Sequence, residues 1–548
     1  MKLVYSFLTI LFVLSCQSSR KITASYPEYD EAKIIAKNAD HENSRMRYKL
    51  VQSKVLDKKA LQKNILKQIK DFNEQDYVRL KPYIFEQDIP SIQSSIEKGS
   101  LTYKTLVQWY LYRINKYEFD PNTSLHTIIS INENAVEEAV KKDENTTESH
   151  HPIFGMPILL KDNINTAGMK TTAGAVALAE NETDDAFIVE RLKEKGAIIL
   201  GKVNLSEWAY FFCSGCPVGY SAVGGQTLNP YGRTVFETGG SSAGSGTSMA
   251  ANYAVGAVGT ETSGSILSPS SKNSVVGLKP TVGLLSRSGI VPISSTLDTP
   301  GPMTRNVTDN AILLSAMVGK DNADPWTRIS MEMKDYSSDL DAFPLEGLRL
   351  GANKKYMDEV PLYAEMMVGL TKRGVEIYGF DPKDVQLDGF LSILNIDMKK
   401  DLPAYLETYA GEKVKIRNIA DVIAFNEKDM EIRAPYGQQL FEGILQDTVT
   451  LEQLVEIIDN GRKNARSYFD EPIDAFNLDV VASVNNYDAG RAALAHYPAL
   501  TIPMGFTDEG EPMNLTLIGT TLSEEALLQI GYAIESAVPM RRPPDNME

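Results

Sequence analysis

Gly239-Gly240-Ser241-Ser242-Ala243-Gly244-Ser245-Gly246 and Gly259-Thr260-Glu261-Thr262-Ser263-Gly264-Ser265-Ile266 are the two stretches that decide the reading of this 548-residue chain. Glycine lets a backbone approach a neighbour closely and reach positive φ. Serine hydroxyls can attack or relay protons. Between the blocks, residues 245–254 read as a small-residue helix and residues 253–260 as a buried Gly/Ala/Val strand. The same alternation extends outward. Pro157-Ile158-Leu159-Leu160 reads as a strand ending at Lys161, Phe187 to Lys195 as a helix, and Ala197-Ile198-Ile199-Leu200 as another strand. Alternating strands and helices predict an α/β fold: a large mixed β-sheet covered by helices on both faces. Ligands bind such sheets beyond the strand ends, which is where Lys161 and Ser265 fall.

Toward the C-terminus, Asp309 to Met317 reads as a helix, Leu348 to Ala352 as a strand, Pro361 to Arg373 as a helix and Val375 to Tyr378 as a strand. Residues 385–475 are charged and largely helical, an insert around the site. The α/β pattern returns with strands at 480–482, 499–504 and 513–517 and a helix at 523–536. Toward the N-terminus, Ile89, Ile92 and Ile96, then Leu106, Tyr110 and Ile114, mark two amphipathic helices. Residues 31–85 carry apolar residues at helical spacing in a charged background.

Lys2 and the apolar run Leu3 to Ser15 read as a signal peptide, too short to span a bilayer. Val13-Leu14-Ser15-Cys16 resembles a bacterial lipobox. That resemblance implies cleavage before Cys16, lipidation of its thiol and attachment to the bacterial cell envelope. Gln17 then fits the outer membrane better than the inner, and residues 17–30 read as a tether. A plain secretory signal is the alternative. The net charge of −17 and the lack of a Lys/Arg cluster argue against nucleic acid as a partner. Of three cysteines, Cys213 and Cys216 form Cys-Ser-Gly-Cys. They fit a disulfide or two free thiols, and no second pair or nearby His completes a metal site.

Two catalytic readings compete. Gly240-Ser241-Ser242-Ala243-Gly244 matches the G-x-S-x-G elbow, which would make an esterase of Ser242 with His496 as base. The five histidines are otherwise poorly placed: His41 and His150-His151 are in charged or polar segments, and His126 is flanked by apolar residues. No Gly-Lys-Ser/Thr follows the glycines, so a phosphate cradle does not fit. The other reading uses Lys161 as base. A free lysine titrates near 10.4, and burial lowers that value. Against it stand a surface lysine at a strand end and simple pairing with Asp162.

The motifs then resemble a family. Gly155-Met156-Pro157-Ile158-Leu159-Leu160-Lys161-Asp162-Asn163 is similar to the lysine strand of the amidase signature enzymes, and the two Ser/Gly blocks to their two serine blocks. Val276-Gly277-Leu278-Lys279-Pro280-Thr281, Leu297-Asp298-Thr299-Pro300-Gly301-Pro302-Met303-Thr304-Arg305 and Pro498-Ala499-Leu500-Thr501-Ile502-Pro503-Met504-Gly505 continue the match. The resemblance covers about residues 86–540. It implies an amidase-signature-like fold and hydrolysis of carboxamide C–N bonds through an acyl-enzyme, with no metal and no cofactor. It implies Ser265 as nucleophile, Ser241 as bridging serine after a cis peptide bond, Lys161 as base, and an oxyanion hole from the N–H groups of Thr262, Ser263, Gly264 and Ser265. The domains follow: 1–15 signal peptide, 16–85 lipidated tether and helical extension, 86–540 catalytic domain.

Departures from the family wording are Glu261 for Asp, Ser263 and Ala243 for Gly, and Leu267 for Arg. The wording of the second block, with Asn204-Leu205-Ser206-Glu207-Trp208 and Gly224-Gly225-Gln226-Thr227, resembles the peptide-amidase branch. That branch implies small or C-terminal peptide amides as substrates. Rivals are the amidotransferase member of the same family and a non-enzymatic envelope binding protein on an amidase scaffold.

Overall fold

Among the described residues, thirteen strands order the chain: β1 (Ile128–Ile131), β2 (Pro157–Lys161), β3 (Ile198–Val203), β4 (Tyr220–Ser221), β5 (Gly225–Gln226), β6 (Gly256–Glu261), β7 (Val276–Lys279), β8 (Thr299–Thr304), β9 (Arg349–Asn353), β10 (Glu376–Phe380), β11 (Val480–Val484), β12 (Ala499–Phe506) and β13 (Pro512–Ile518). The computed structural model describes residues 29–145, 150–329 and 334–548. The signal segment and Cys16 lie outside the described residues. Eleven strands form one sheet in the order β1-β3-β2-β6-β8-β7-β12-β13-β11-β9-β10, and β4 and β5 pair separately. The sheet is mixed. β2 runs parallel to β3 and β6, and β9 parallel to β10 and β11. The central β6-β8-β7-β12-β13 ladder is antiparallel.

Strand parity shows that helices cover both faces. Successive strand residues point to opposite sides. A Cβ on Gly256 would meet Leu313 of the helix Val307–Met317, whereas one on Gly259 would meet Ser242, which precedes the helix Ala243–Ala250. The second helix is wholly buried and carries the first Ser/Gly block. Its glycines serve contact with the protein itself rather than with a ligand. A Cβ on Gly244 would lie 2.4 Å from the Asn204 carbonyl oxygen, so the helix seats on the end of β3 only with no side chain there.

The helical stretch before β1 is anchored by the same core. Met46, Val51, Ile65, Leu80 and Ile84 are buried in the cluster that also holds Leu159, Val258 and Leu278. At full burial each such side chain contributes on the order of 1.5–3 kcal/mol. Residues 390–476 form the helices Phe390–Thr408, Ile419–Asn426, Met430–Arg433, Gln439–Gln446 and Leu451–Phe476. The first is fastened to the sheet domain by carboxylates one turn apart. Asp397 accepts from the Ser294 hydroxyl (2.5 Å) and Asp401 from the Ser295 N–H (2.6 Å). Cys213 and Cys216 are joined in a disulfide, beside an apolar cluster that includes Trp208, Phe212 and Phe441. No described helix is long and apolar enough to cross a membrane.

Candidate active site

β2 delivers Lys161 from an apolar strand into a fully buried position. Its Nζ lies 2.8 Å from Ser241 Oγ, 2.8 Å from Thr260 Oγ1 and 3.0 Å from the Thr260 carbonyl oxygen. Burial pushes its pKa down to about 7, against the opposing pull of the Asp298 and Glu261 charges. Asp162 does not neutralise it. Its carboxylate faces Lys202 on the neighbouring strand at 3.1 Å, and Lys202 also donates to the Ile164 carbonyl (2.7 Å) and Thr171 Oγ1 (2.9 Å). Two buried lysines thus sit in adjacent polar nests, and the one at the end of β2 contacts serine.

The peptide bond between Gly240 and Ser241 is cis. The two serine blocks are stitched together by Ser242. Its N–H donates to the Ser265 carbonyl (3.1 Å), and its hydroxyl donates to the Thr260 carbonyl (3.1 Å) and accepts from the Thr260 N–H (3.2 Å). Ser242 is therefore a buried brace for β6. His496 is held elsewhere, with Nε2 3.3 Å from Arg462 Nη2 and its ring edge-on to Trp326. Burial drives its pKa down to about 3. Ser242 and His496 are not brought together, so the esterase reading loses its geometric basis. His126 is also occupied, with ring nitrogens 3.1 Å from the Tyr29 hydroxyl and 3.0 Å from the Gln226 carbonyl.

The turn from β6 into the helix Leu267–Lys272 is built on Glu261. Its carboxylate accepts from the N–H groups of Gly264 (2.7 Å), Ile266 (2.7 Å) and Leu267 (3.0 Å). A donor set expected at the oxyanion is corrected here: the Gly264 N–H is engaged by Glu261 and is not free for a ligand. Among the described residues, the N–H groups of Thr262, Ser263 and Ser265 have no acceptor. Gly264 has φ +87°, which favours glycine, and a Cβ there would sit a tight 3.1 Å from Asn486 Nδ2. Ser263 is accommodated: its hydroxyl lies 3.6 Å from where a Cβ would sit on Gly490, aimed at the helix Ala489–Ala495. Leu267 is fully buried against Leu297 and Ala492, among other apolar side chains. Ser265 is 9% exposed. No hydrogen bond joins its hydroxyl to Ser241 among the described residues.

A cavity of about 580 Å³ reaches this site at Thr260, the residue that holds Lys161, a size suited to a small organic ligand. Thr260, Thr262, Asn163 and Asp298 form one end, and the segment 287–300, Trp326 and the helix Phe390–Thr408 form the walls. Asp298 is buried. It accepts from Thr262 Oγ1 (2.5 Å) and from the N–H groups of Ile293 (2.8 Å) and Ser294 (2.9 Å), and burial raises its pKa to about 6. Thr260 and Asp298 escaped the sequence reading although both lie in quoted motifs. A polar residue at the edge of an apolar strand was the only signal for Thr260. The side-chain role of Glu261 was likewise invisible, because its partners are backbone groups.

Comparison with known proteins bears on this arrangement. The Amidase family model matches residues 105–528. A protein of Arabidopsis thaliana named "Probable amidase" is 36% identical over 479 residues, covering 84% of this chain and 92% of that protein. A glutamyl-tRNA(Gln) amidotransferase component of Exiguobacterium sibiricum is 31% identical, covering 83% of this chain and 98% of that one. The crystal structure of the native peptide amidase from Stenotrophomonas maltophilia is similar with a TM-score of 0.78 at 37% identity, covering 84% of this chain and 98% of that chain.

Proposed function

Given that this chain belongs to the amidase signature family and is a hydrolase of amide C–N bonds, we propose that it does so through Lys161, Ser241 and Ser265. Neutral Lys161 takes the Ser241 proton as Ser241 takes that of Ser265. The Ser265 oxygen bonds to the amide carbonyl carbon, and the developing oxyanion is met by the N–H groups of Thr262, Ser263 and Ser265. The proton returns through Ser241 to the leaving nitrogen, the C–N bond breaks, and ammonia or an amine departs. Water then hydrolyses the acyl-enzyme and regenerates the three groups.

The observation that carries this reading is the 2.8 Å contact between Lys161 Nζ and Ser241 Oγ in a buried site, where burial brings the lysine near neutrality at physiological pH. The gap from Ser241 to Ser265 closes when substrate binds, as catalytic hydrogen bonds commonly do. Small carboxamides and C-terminal peptide amides are the proposed substrates, supported by the motif wording and the peptide amidase likeness. The lipobox-like segment and the disulfide support an exported, lipid-anchored protein of the bacterial envelope. Ammonia release from amidated dipeptides, free amino acid amides and glutamine tests the activity. Release that survives Lys161→Ala would sink the relay.

A further inference from the structure

We propose that the cavity selects the acyl side of the substrate by charge: it takes apolar or aromatic acyl groups and rejects those bearing a free carboxylate. This rests on the amidase reading above and adds to it a substrate class. The cavity that opens at Thr260 and Thr262 is also lined by Ile290, Val291, Ile293, Trp326, Tyr405 and Tyr409. Tyr405 offers only its ring. Its hydroxyl is spent donating to Asn165 Oδ1 (2.7 Å) and accepting from Asn181 Nδ2 (3.1 Å).

Each charged side chain on the wall already has a partner within the protein. Arg287 grips Asp324 with two prongs, Nε to Oδ2 at 2.9 Å and Nη2 to Oδ1 at 2.8 Å, and gives Nη1 to the Ser295 carbonyl at 2.5 Å. Asp298 is filled by the Thr262 hydroxyl and two N–H groups. Asp401 takes the Ser295 N–H and lies 3.4 Å from Lys400 Nζ. The three acids Asp298, Asp324 and Asp401 outnumber the two cations Arg287 and Lys400. An incoming carboxylate therefore gives up water, meets a surplus of negative charge and finds Arg287 already held by Asp324, leaving only the mostly exposed Lys400, 3.4 Å from Asp401, as a partner. An apolar group loses nothing comparable and gains burial.

The test is a matched pair: N-acetyl-leucinamide and the α-amide of N-acetyl-aspartate, close in shape and different in charge. We expect kcat/KM at pH 7.5 to favour the leucine amide by at least about 100-fold, the scale on which buried unpaired charge is penalised. Ala404 is exposed at the cavity wall on the helix Phe390–Thr408, and Ala404→Arg supplies an unspent cation. It should narrow the ratio at least about tenfold, mainly by lowering KM for the aspartate amide. Calorimetric titration of both amides into Ser265→Ala measures the same preference without turnover. A wild-type ratio within threefold of unity, equal binding of the two amides, or no response to Ala404→Arg overturns the proposal. Absence of ammonia from either amide, with the binding preference intact, would instead count against the catalytic reading and leave charge selection supported.

Discussion

Glu261→Gln is the substitution that most directly probes how the second serine block holds its shape. One oxygen of Glu261 takes the Gly264 N–H at 2.7 Å, and the other takes Ile266 at 2.7 Å and Leu267 at 3.0 Å. A glutamine keeps one acceptor oxygen and turns an NH2 toward the other set of donors. The cheaper orientation keeps the pair at Ile266 and Leu267 and abandons Gly264. One charge-assisted bond is then lost, worth about 1.5–3 kcal/mol, and a buried N–H is left without an acceptor. The net loss of stability should be about 2–4 kcal/mol. Gly264 lies between Ser263 and Ser265, so the loop moves where the reaction occurs, and a shift near 1 Å is enough to cost about 100-fold in rate. Glu261→Asp keeps the charge but reaches about one methylene less, and should fall between the two. Urea unfolding and kcat on an amidated dipeptide are the assays. A Glu261→Gln protein that loses stability yet keeps wild-type kcat would refute the reasoning, because the clamp would then have no bearing on the reacting groups.

The same geometry sets five further outcomes. Activity requires neutral Lys161, so kcat/KM should rise with pH through about 7. The Asp298 and Glu261 charges raise the Lys161 pKa, so Asp298→Asn should move that rise to lower pH, whereas a merely structural loss would cut kcat without moving the profile. His496→Ala should stay within about threefold of wild-type activity, while Ser242→Ala, which strips two bonds from Thr260, should cost about 1–3 kcal/mol of stability. Reduction of the Cys213–Cys216 disulfide should cost about 2 kcal/mol by loop-closure entropy, seen as a lower Tm in reductant.

The strands carrying the site were legible because a strand buried on both faces reads as a short apolar run, as residues 158–160 in β2, 198–200 in β3 and 256–258 in β6 do. β8 was not. Thr299-Pro300-Gly301-Pro302-Met303-Thr304 has the composition of a turn, yet it lies centrally between β6 and β7. β7 pairs only with Met303 and Thr304, so neither proline interrupts that ladder. Helical periodicity marked the segments before residue 85 but could not say what they face, since the Val51 carbonyl meets the Gln226 N–H 175 positions away. Lys161 was singled out by its strand and motif; that Thr260 holds it and that Asp162 turns to Lys202 required the register of three strands. The Gly264 N–H was assigned to the wrong partner for a related reason. Chain order shows which amides cluster in a loop, and only the fold shows that a glutamate has already taken one of them.

Covalent labelling with a fluorophosphonate, followed by peptide mapping, tests the central claim most directly. The adduct is expected on Ser265, abolished by Lys161→Ala and retained in His496→Ala. An adduct on Ser242, or labelling of Ser265 that survives loss of Lys161, would contradict it.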